Sequence, residues 1–376
     1  MVCPLRAGED ELRWRFGSSG PAVERVCAMA SRGRESAVIR YAGARTILGP
    51  ERKGNEMAAK EIKASFASNE WVLILGGSSG FGLATAKRFA RGGVNVLIVH
   101  RDRRGAMAAI EPHFEEIAKL AVGFHTWNAD AIEAASRTET LGEIVKAIGP
   151  EGRIKVLLHS IAFGNLKLIA PEKVEARTAG PNLAQRLGVD QAKLTEIADE
   201  LFEAGEDGLH PLTSAPTFPD KSYLDEEDFG RTILAMGTSL LGWTQEIFTR
   251  EIFAPDARIF GLTSEGNEVA WKGYAAVSAA KVSLEALSRS IALEFGPYGI
   301  RCNVIQAGVT NTPALRAIPG SDQLKSQARL RNPGGRLTTP EDVAGVIFLL
   351  SQPEASWVNG ETIRVDGGEH ISGSTK

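Results

Sequence analysis

The feature that most constrains this chain is a seven-residue junction. An apolar run, Trp71-Val-Leu-Ile-Leu75, passes directly into Gly76-Gly77-Ser78-Ser79-Gly80-Phe81-Gly82, and Phe81–Ala90 then reads as a helix. Five consecutive apolar residues ending at paired glycines predict a strand buried on both faces. Gly76 permits the tight turn, while Gly80 and Gly82 let backbone and helix approach closely. The helix N-terminus then presents free N–H groups and a positive dipole end to the turn, an arrangement suited to a pyrophosphate. Dinucleotide binding is the expectation, with Gly76, Ser79, Gly80, Phe81 and Gly82 at the cofactor; a plain glycine-rich turn is the alternative.

The residues beyond repeat the strand–helix alternation. Val94–Val99, Val122–Trp127, Lys155–Ile161, Ala257–Leu262, Arg301–Gln306 and Thr362–Val365 read as further strands. Met107–Leu120, Ala131–Ile148, Tyr274–Phe295 and Pro340–Leu350 read as helices. This order predicts an α/β fold, a doubly wound parallel sheet in a single domain over 57–376. Residues 165–228 break the alternation. From Pro171 to Asp228 the chain has fourteen acidic residues against five basic ones, with Leu183, Leu187, Leu194, Ile197 and Leu201 near helical spacing. A helical insertion after the fourth strand, with one or two short helices, is expected; it is either a lid over the substrate or a solvated decoration. Residues 1–56 are rich in Arg and lack periodicity, and they are read as a disordered or mis-started extension with Met57 as the true beginning.

Composition narrows the partners. Lys and Arg total 43 against 46 Asp and Glu, a net charge of −3. That balance gives no electrostatic reason to expect nucleic acid or an anionic membrane. The apolar runs are too short to span a bilayer. Three cysteines, Cys3, Cys27 and Cys302, make neither a disulfide framework nor a metal-ligand spacing, so no metal and a reducing, cytoplasmic setting are expected.

Two further constellations carry chemistry. After the second strand, His100 and Arg101 stand where an acid would grip the ribose of NAD, and a guanidinium suits the 2′-phosphate of NADP. NADP(H) is therefore expected over NAD(H), with a solvated basic loop as the alternative. Asp130 either accepts from the adenine amino group or caps the next helix. Tyr274 and Lys281 are seven residues apart at a helix start, so they share a face about two turns apart. A nearby ammonium favours the phenolate and would fit Tyr274 for proton transfer, and the same Lys281 could hold a ribose hydroxyl.

Together these residues resemble the short-chain dehydrogenase/reductase family over about Trp71 to Gly368. The resemblance is carried by the glycine turn, the Tyr/Lys helix, Ala307-Gly308-Val309 with Thr312, and the closing Val358-Asn-Gly360 and Val365-Asp-Gly-Gly368. It implies a Rossmann fold and a homotetramer. Family ketoreductases place Lys four residues after Tyr, but here position 278 is Ser. The wider spacing, His159-Ser-Ile-Ala-Phe163 and Lys281-Val-Ser-Leu-Glu-Ala286 look most like the enoyl-acyl carrier protein reductases, and the open turn with Arg101 like their NADPH-dependent third type. The resemblance implies reduction of a 2-enoyl thioester on acyl carrier protein or coenzyme A, in fatty-acid-type metabolism; a carbonyl reductase acting on a 3-oxoacyl or other ketone is the alternative. It implies Tyr274 and Lys281 as catalytic, with Ser264 as polar support or as a mere turn residue. Ser160, Ile161 and Ala162 would line the cofactor, as would Ala307, Gly308 and Val309. Thr312 would bind the carboxamide or cap a helix. Arg316, Lys325, Arg329 and Arg331 are the cations expected to meet an acidic carrier.

Overall fold

Alternate residues of the central strand feed two separate cores. Trp71, Leu73 and Leu75 pack into one, while Val72 and Ile74 pack into the other. The computed structural model describes residues 63–173, 178–213, 216, 218 and 222–373. The reading of residues 1–56 lies outside them.

The strands are β1 (Glu70–Leu75), β2 (Asn95–His100), β3 (Phe124–Asn128), β4 (Arg153–His159), β5 (Phe253–Ser264), β6 (Arg301–Ala307) and β7 (Thr362–Val365). They form one seven-stranded sheet in the order β3-β2-β1-β4-β5-β6-β7. Every neighbouring pair is parallel. The chain order reverses between β1 and β4, and the carboxyl ends of strands at such a switch point form the crevice of a doubly wound sheet.

The helices α1 (Gly80–Arg91) and α2 (Met107–Leu120) follow β1 and β2, and α3 (Ala134–Ile148) follows β3. Helix α3 begins three residues later than its periodicity suggests, because Glu133 caps it by accepting from the Ser136 N–H at 2.7 Å. The insertion after β4 holds α4 (Ala179–Leu187), α5 (Gln191–Glu203) and the single-turn α6 (His210–Thr213), three helices where one or two were expected. Next come α7 (Glu226–Ile233), a π-helical turn at Leu234–Thr238 and α8 (Ser239–Thr249). These lead up to β5 and were not anticipated. Their start lies in acidic sequence that reads as insertion, yet Asp225 caps α7 through the Asp228 N–H at 2.8 Å, and Glu226 and Glu227 occupy its first turn. Acids there complement the helix dipole and mark an N-terminus.

Helix α9 (Ala275–Phe295) precedes β6. After β6 come α10 (Pro313–Arg316), α11 (Ser321–Arg331) and α12 (Pro340–Leu350). Helix α12 opens with a reciprocal Thr339/Asp342 capping box and Pro340 in its first turn. Side chains of α1, α2 and α12, such as Phe89, Phe114 and Phe348, fill one core; Leu141 of α3, Trp243 of α8 and Leu284 of α9 fill the other.

Candidate active site

The glycine junction becomes a cradle whose shape excludes side chains. Gly76 has φ +86°, and a Cβ on it would lie 2.6 Å from the Ser160 carbonyl oxygen. A Cβ on Gly82 would lie 2.1 Å from the Gly76 carbonyl oxygen. Gly80 is needed for conformation instead: φ is +53°, but the space beside it is ordinary. Ser79 sits at the N-cap of α1 without a side-chain cap, and no acid occupies the first turn. The first N–H groups of α1 therefore have no side-chain acceptor and remain suited to an anion. Glycine cradle and uncapped helix end together fit a dinucleotide pyrophosphate.

A cavity of about 590 Å³ extends from this cradle along the carboxyl ends of the strands. It is lined by Gly76, Ser79, Gly80, Phe81, Arg101 and Asp130 at one end. Ser160, Ile161 and Ala162 follow, with Ala307, Gly308, Val309 and Thr312 opposite, and Ser264, Tyr274 and Lys281 deepest along β5 and α9. Gly82 alone among the anticipated positions stands behind the lining, packed on the Gly76 carbonyl.

At the end of β2, Arg101 donates to Asp130 Oδ2 at 2.6 Å and lies 4.5 Å over the Phe163 ring. The other Asp130 oxygen accepts from the Ile132 N–H at 2.9 Å. Burial works against the Asp130 carboxylate, but the Ile132 N–H and the Arg101 guanidinium outweigh it and hold the carboxyl below its usual range. Asp130 does not cap α3; that position belongs to Glu133.

Tyr274 occupies the N-cap of α9, at φ −109° and ψ 4°, and Lys281 lies within the helix. The Lys281 ammonium donates to the Leu262 carbonyl at 2.8 Å. Burial lowers its pKa to about 8, against the pull of Glu285. Sequence reasoning expected this ammonium to lower the phenol's pKa. Burial instead pushes Tyr274 up, and the opposing influence is the Ser264 hydroxyl. Ser264 Oγ itself is buried beside the phenol and makes no well-aligned hydrogen bond. A Cβ on Gly266 would strike the Tyr274 ring at 2.5 Å, so that glycine leaves room for the phenol.

Behind Lys281 stands His159, which sequence reasoning cited only as part of a motif. Its Nε2 is 2.8 Å from Ser239 Oγ. The single Ser239 hydroxyl proton goes to the Ala235 carbonyl at 3.1 Å, so His159 Nε2 is assigned as the donor. Burial, reinforced by Lys281, lowers the imidazole pKa to about 3 and keeps it neutral.

The loop after β6 closes the cavity. Thr312 Oγ1 accepts from the Leu315 N–H at 3.1 Å, so it caps α10. The Val309 N–H donates to Glu369 at 3.2 Å, and Arg331 Nη2 donates to Glu369 at 3.0 Å and to Glu265 at 2.8 Å. Burial pushes the Glu369 carboxyl up despite these donors. Glu369 was not anticipated; its only sequence signal was its place directly after Gly368.

Two family models match this chain: "short chain dehydrogenase" over residues 70–177 and "Enoyl-(Acyl carrier protein) reductase" over residues 191–370. The chain belongs to the short-chain dehydrogenase/reductase family. Its relatives carry varied names. A probable 2,4-dienoyl-CoA reductase of Bacillus subtilis is 28% identical over 80% of this chain and 96% of that protein. The enoyl-acyl-carrier-protein reductase (NADH) of Bacillus cereus is 34% identical over 44% of this chain and 66% of its own. An L-rhamnose 1-dehydrogenase of Azotobacter vinelandii is 25% identical over 80% of this chain and 96% of that enzyme. Among solved structures, the enoyl-acyl-carrier-protein reductase of Anaplasma phagocytophilum in complex with NAD superposes with a TM-score of 0.58 at 18% identity, covering 82% of this chain and 95% of that one. That likeness shows the fold.

As a short-chain dehydrogenase/reductase, the protein is an oxidoreductase that binds a nicotinamide dinucleotide. The cavity lining also has apolar side chains: Ile132, Leu166, Met236, Trp271, Ile318 and Leu324. Sequence reasoning missed these six because they come from five separate stretches of chain. The cations expected to dock a carrier are mostly engaged within the molecule. Arg329 binds Asp207, Arg331 binds Glu265 and Glu369, and Lys325 pairs with Asp322. Arg316 donates to Asn311 at 3.0 Å. Among the described residues no helix is long and apolar enough to cross a membrane.

Proposed function

We propose that this oxidoreductase uses NADPH to reduce the carbon–carbon double bond of a 2-enoyl thioester, carried on coenzyme A or acyl carrier protein. The observation that carries the reading is the placement of Tyr274 and Lys281 at the wide spacing, on one cavity with the glycine cradle and several apolar side chains. Bound NADPH would supply the hydride for the β-carbon. Tyr274 holds its proton, since burial raises the phenol pKa, and can donate through Oη to the thioester oxygen as charge develops there. Lys281, fixed by the Leu262 carbonyl, keeps further N–H groups for the nicotinamide ribose. Arg101 supports the choice of NADPH, with its guanidinium at the adenosine end and Asp130 fixing its orientation.

A second reading, reduction of a ketone or 3-oxoacyl group, is favoured by Ser264, a buried hydroxyl beside the phenol that makes no well-aligned hydrogen bond. Consumption of NADPH with crotonyl-CoA against acetoacetyl-CoA separates the two. We expect turnover with the enoyl substrate, and Tyr274→Phe to lose about 10²-fold or more of it while cofactor binding is kept. Turnover of the 3-oxo substrate alone would select the second reading. Full activity in Tyr274→Phe would remove the phenol from the mechanism.

A further inference from the structure

Among the described residues, three contacts tie the inserted segment to α11 and to the approach to α9. The first is a buried ion pair. The Asp207 side chain, four residues past the end of α5, is only 1% exposed. Arg329 of α11 donates Nε to both of its oxygens at 3.0 Å and Nη2 to one at 2.6 Å. The same Nη2 reaches the Phe202 carbonyl at 3.2 Å, and Ser326 Oγ donates to the Asp207 carbonyl at 3.1 Å. Phe202 stacks on His210 at 4.3 Å and lies 4.6 Å beneath the Arg329 guanidinium. The second fastening is Pro216 against Gly320, just before α11, where a Cβ would come within 2.9 Å of the proline ring. The third is Phe218 against Gly273, the residue before Tyr274, where a Cβ would lie 3.0 Å from the phenyl ring.

A solvated decoration needs no such joint. Burying a carboxylate costs free energy unless its partner geometry is good, and removing one partner leaves an uncompensated buried charge. Here the carboxylate meets a forked guanidinium through both oxygens, the geometry that fixes one orientation. That orientation is imposed on α11; Leu324 in its first turn and Ile318, three residues before it, line the cavity.

We propose that the insertion is the fixed outer wall of the substrate-binding end, and that Asp207 and Arg329 are positioning residues which set acyl binding through Ile318 and Leu324. The identity of the substrate rests on the thioester reading above; the wall itself does not. It also takes Arg329 out of use as a docking cation.

The test compares Asp207→Asn, Arg329→Gln, the double variant and Asp207→Glu in the full-length protein. With dodecenoyl-CoA and saturating NADPH, each single variant is expected to raise KM for the thioester roughly tenfold, about 1.4 kcal/mol. Turnover number and NADPH affinity should change little. The double variant should be no worse than the singles, since each already breaks the same contact. Asp207→Glu should recover part of the loss. Hydrogen exchange over residues 318–331 should rise in Asp207→Asn while that of α1 stays unchanged. Unchanged KM and unchanged exchange would overturn the proposal. So would a parallel loss of turnover, NADPH affinity and melting temperature, which marks a general stabilising contact. If the wild type turns over no enoyl thioester, the proposed reaction fails, and exchange alone decides the wall.

Discussion

Lys281 is a buried ammonium whose burial costs stability, and the size of that cost can be worked out. Burial lowers its pKa from 10.5 to about 8. At about 1.36 kcal/mol per unit, holding the charged form in the folded state costs about 3 kcal/mol at pH 7. Lys281→Met keeps the length and removes the charge, so the cofactor-free variant should be more stable than wild type at pH 7, by up to about 3 kcal/mol. The advantage has a defined pH window. Below about 8 both folded and unfolded wild type hold the proton, and the full cost applies. Between about 8 and 10.5 the folded protein has lost the proton and the unfolded chain retains it, so wild-type stability rises with pH and the variant's lead shrinks. Urea unfolding of both proteins at pH 7 and pH 10 measures this, and taking the difference cancels the other titrating groups. Turnover should be lost in the same variant. A variant less stable than wild type at pH 7, or a difference that does not vary with pH, would refute the reasoning.

Two further perturbations address the cofactor end. Gly82→Ala places a methyl 2.1 Å from the Gly76 carbonyl oxygen, so the turn must move; cofactor affinity, read by fluorescence titration, should fall about tenfold or more, and an unchanged affinity would mean the cradle is not the phosphate site. Arg101→Ala should weaken NADPH roughly tenfold while leaving NADH nearly unaffected, and equal losses for both would make Arg101 a mere partner of Asp130.

Much of the scaffold was legible because its causes are local. Five apolar residues before paired glycines made β1, and alternating strands and helices made the parallel sheet. The wide Tyr274/Lys281 spacing placed both groups on one cavity. What stayed hidden has both local and distant causes. The acidic approach to α7 reads as solvated sequence unless Asp225 is taken as a cap. The internal partners of Arg329 and Arg331 are not legible in the sequence because they are distant in it, 122 residues away at Asp207 for Arg329 and 66 at Glu265 for Arg331.

The sequence by itself determined the elements, the cradle and the presence of a phenol and an ammonium two turns apart, since backbone conformation and side-chain periodicity depend on residues a few positions apart. Only the tertiary structure decided what those groups meet. Lys281 addresses the Leu262 carbonyl and not the phenol, Glu369 holds the Val309 N–H, and the insertion is bound to α11. Burial and pairing between distant segments arise only once the sheet brings them together, and they set the charge states on which the chemistry rests.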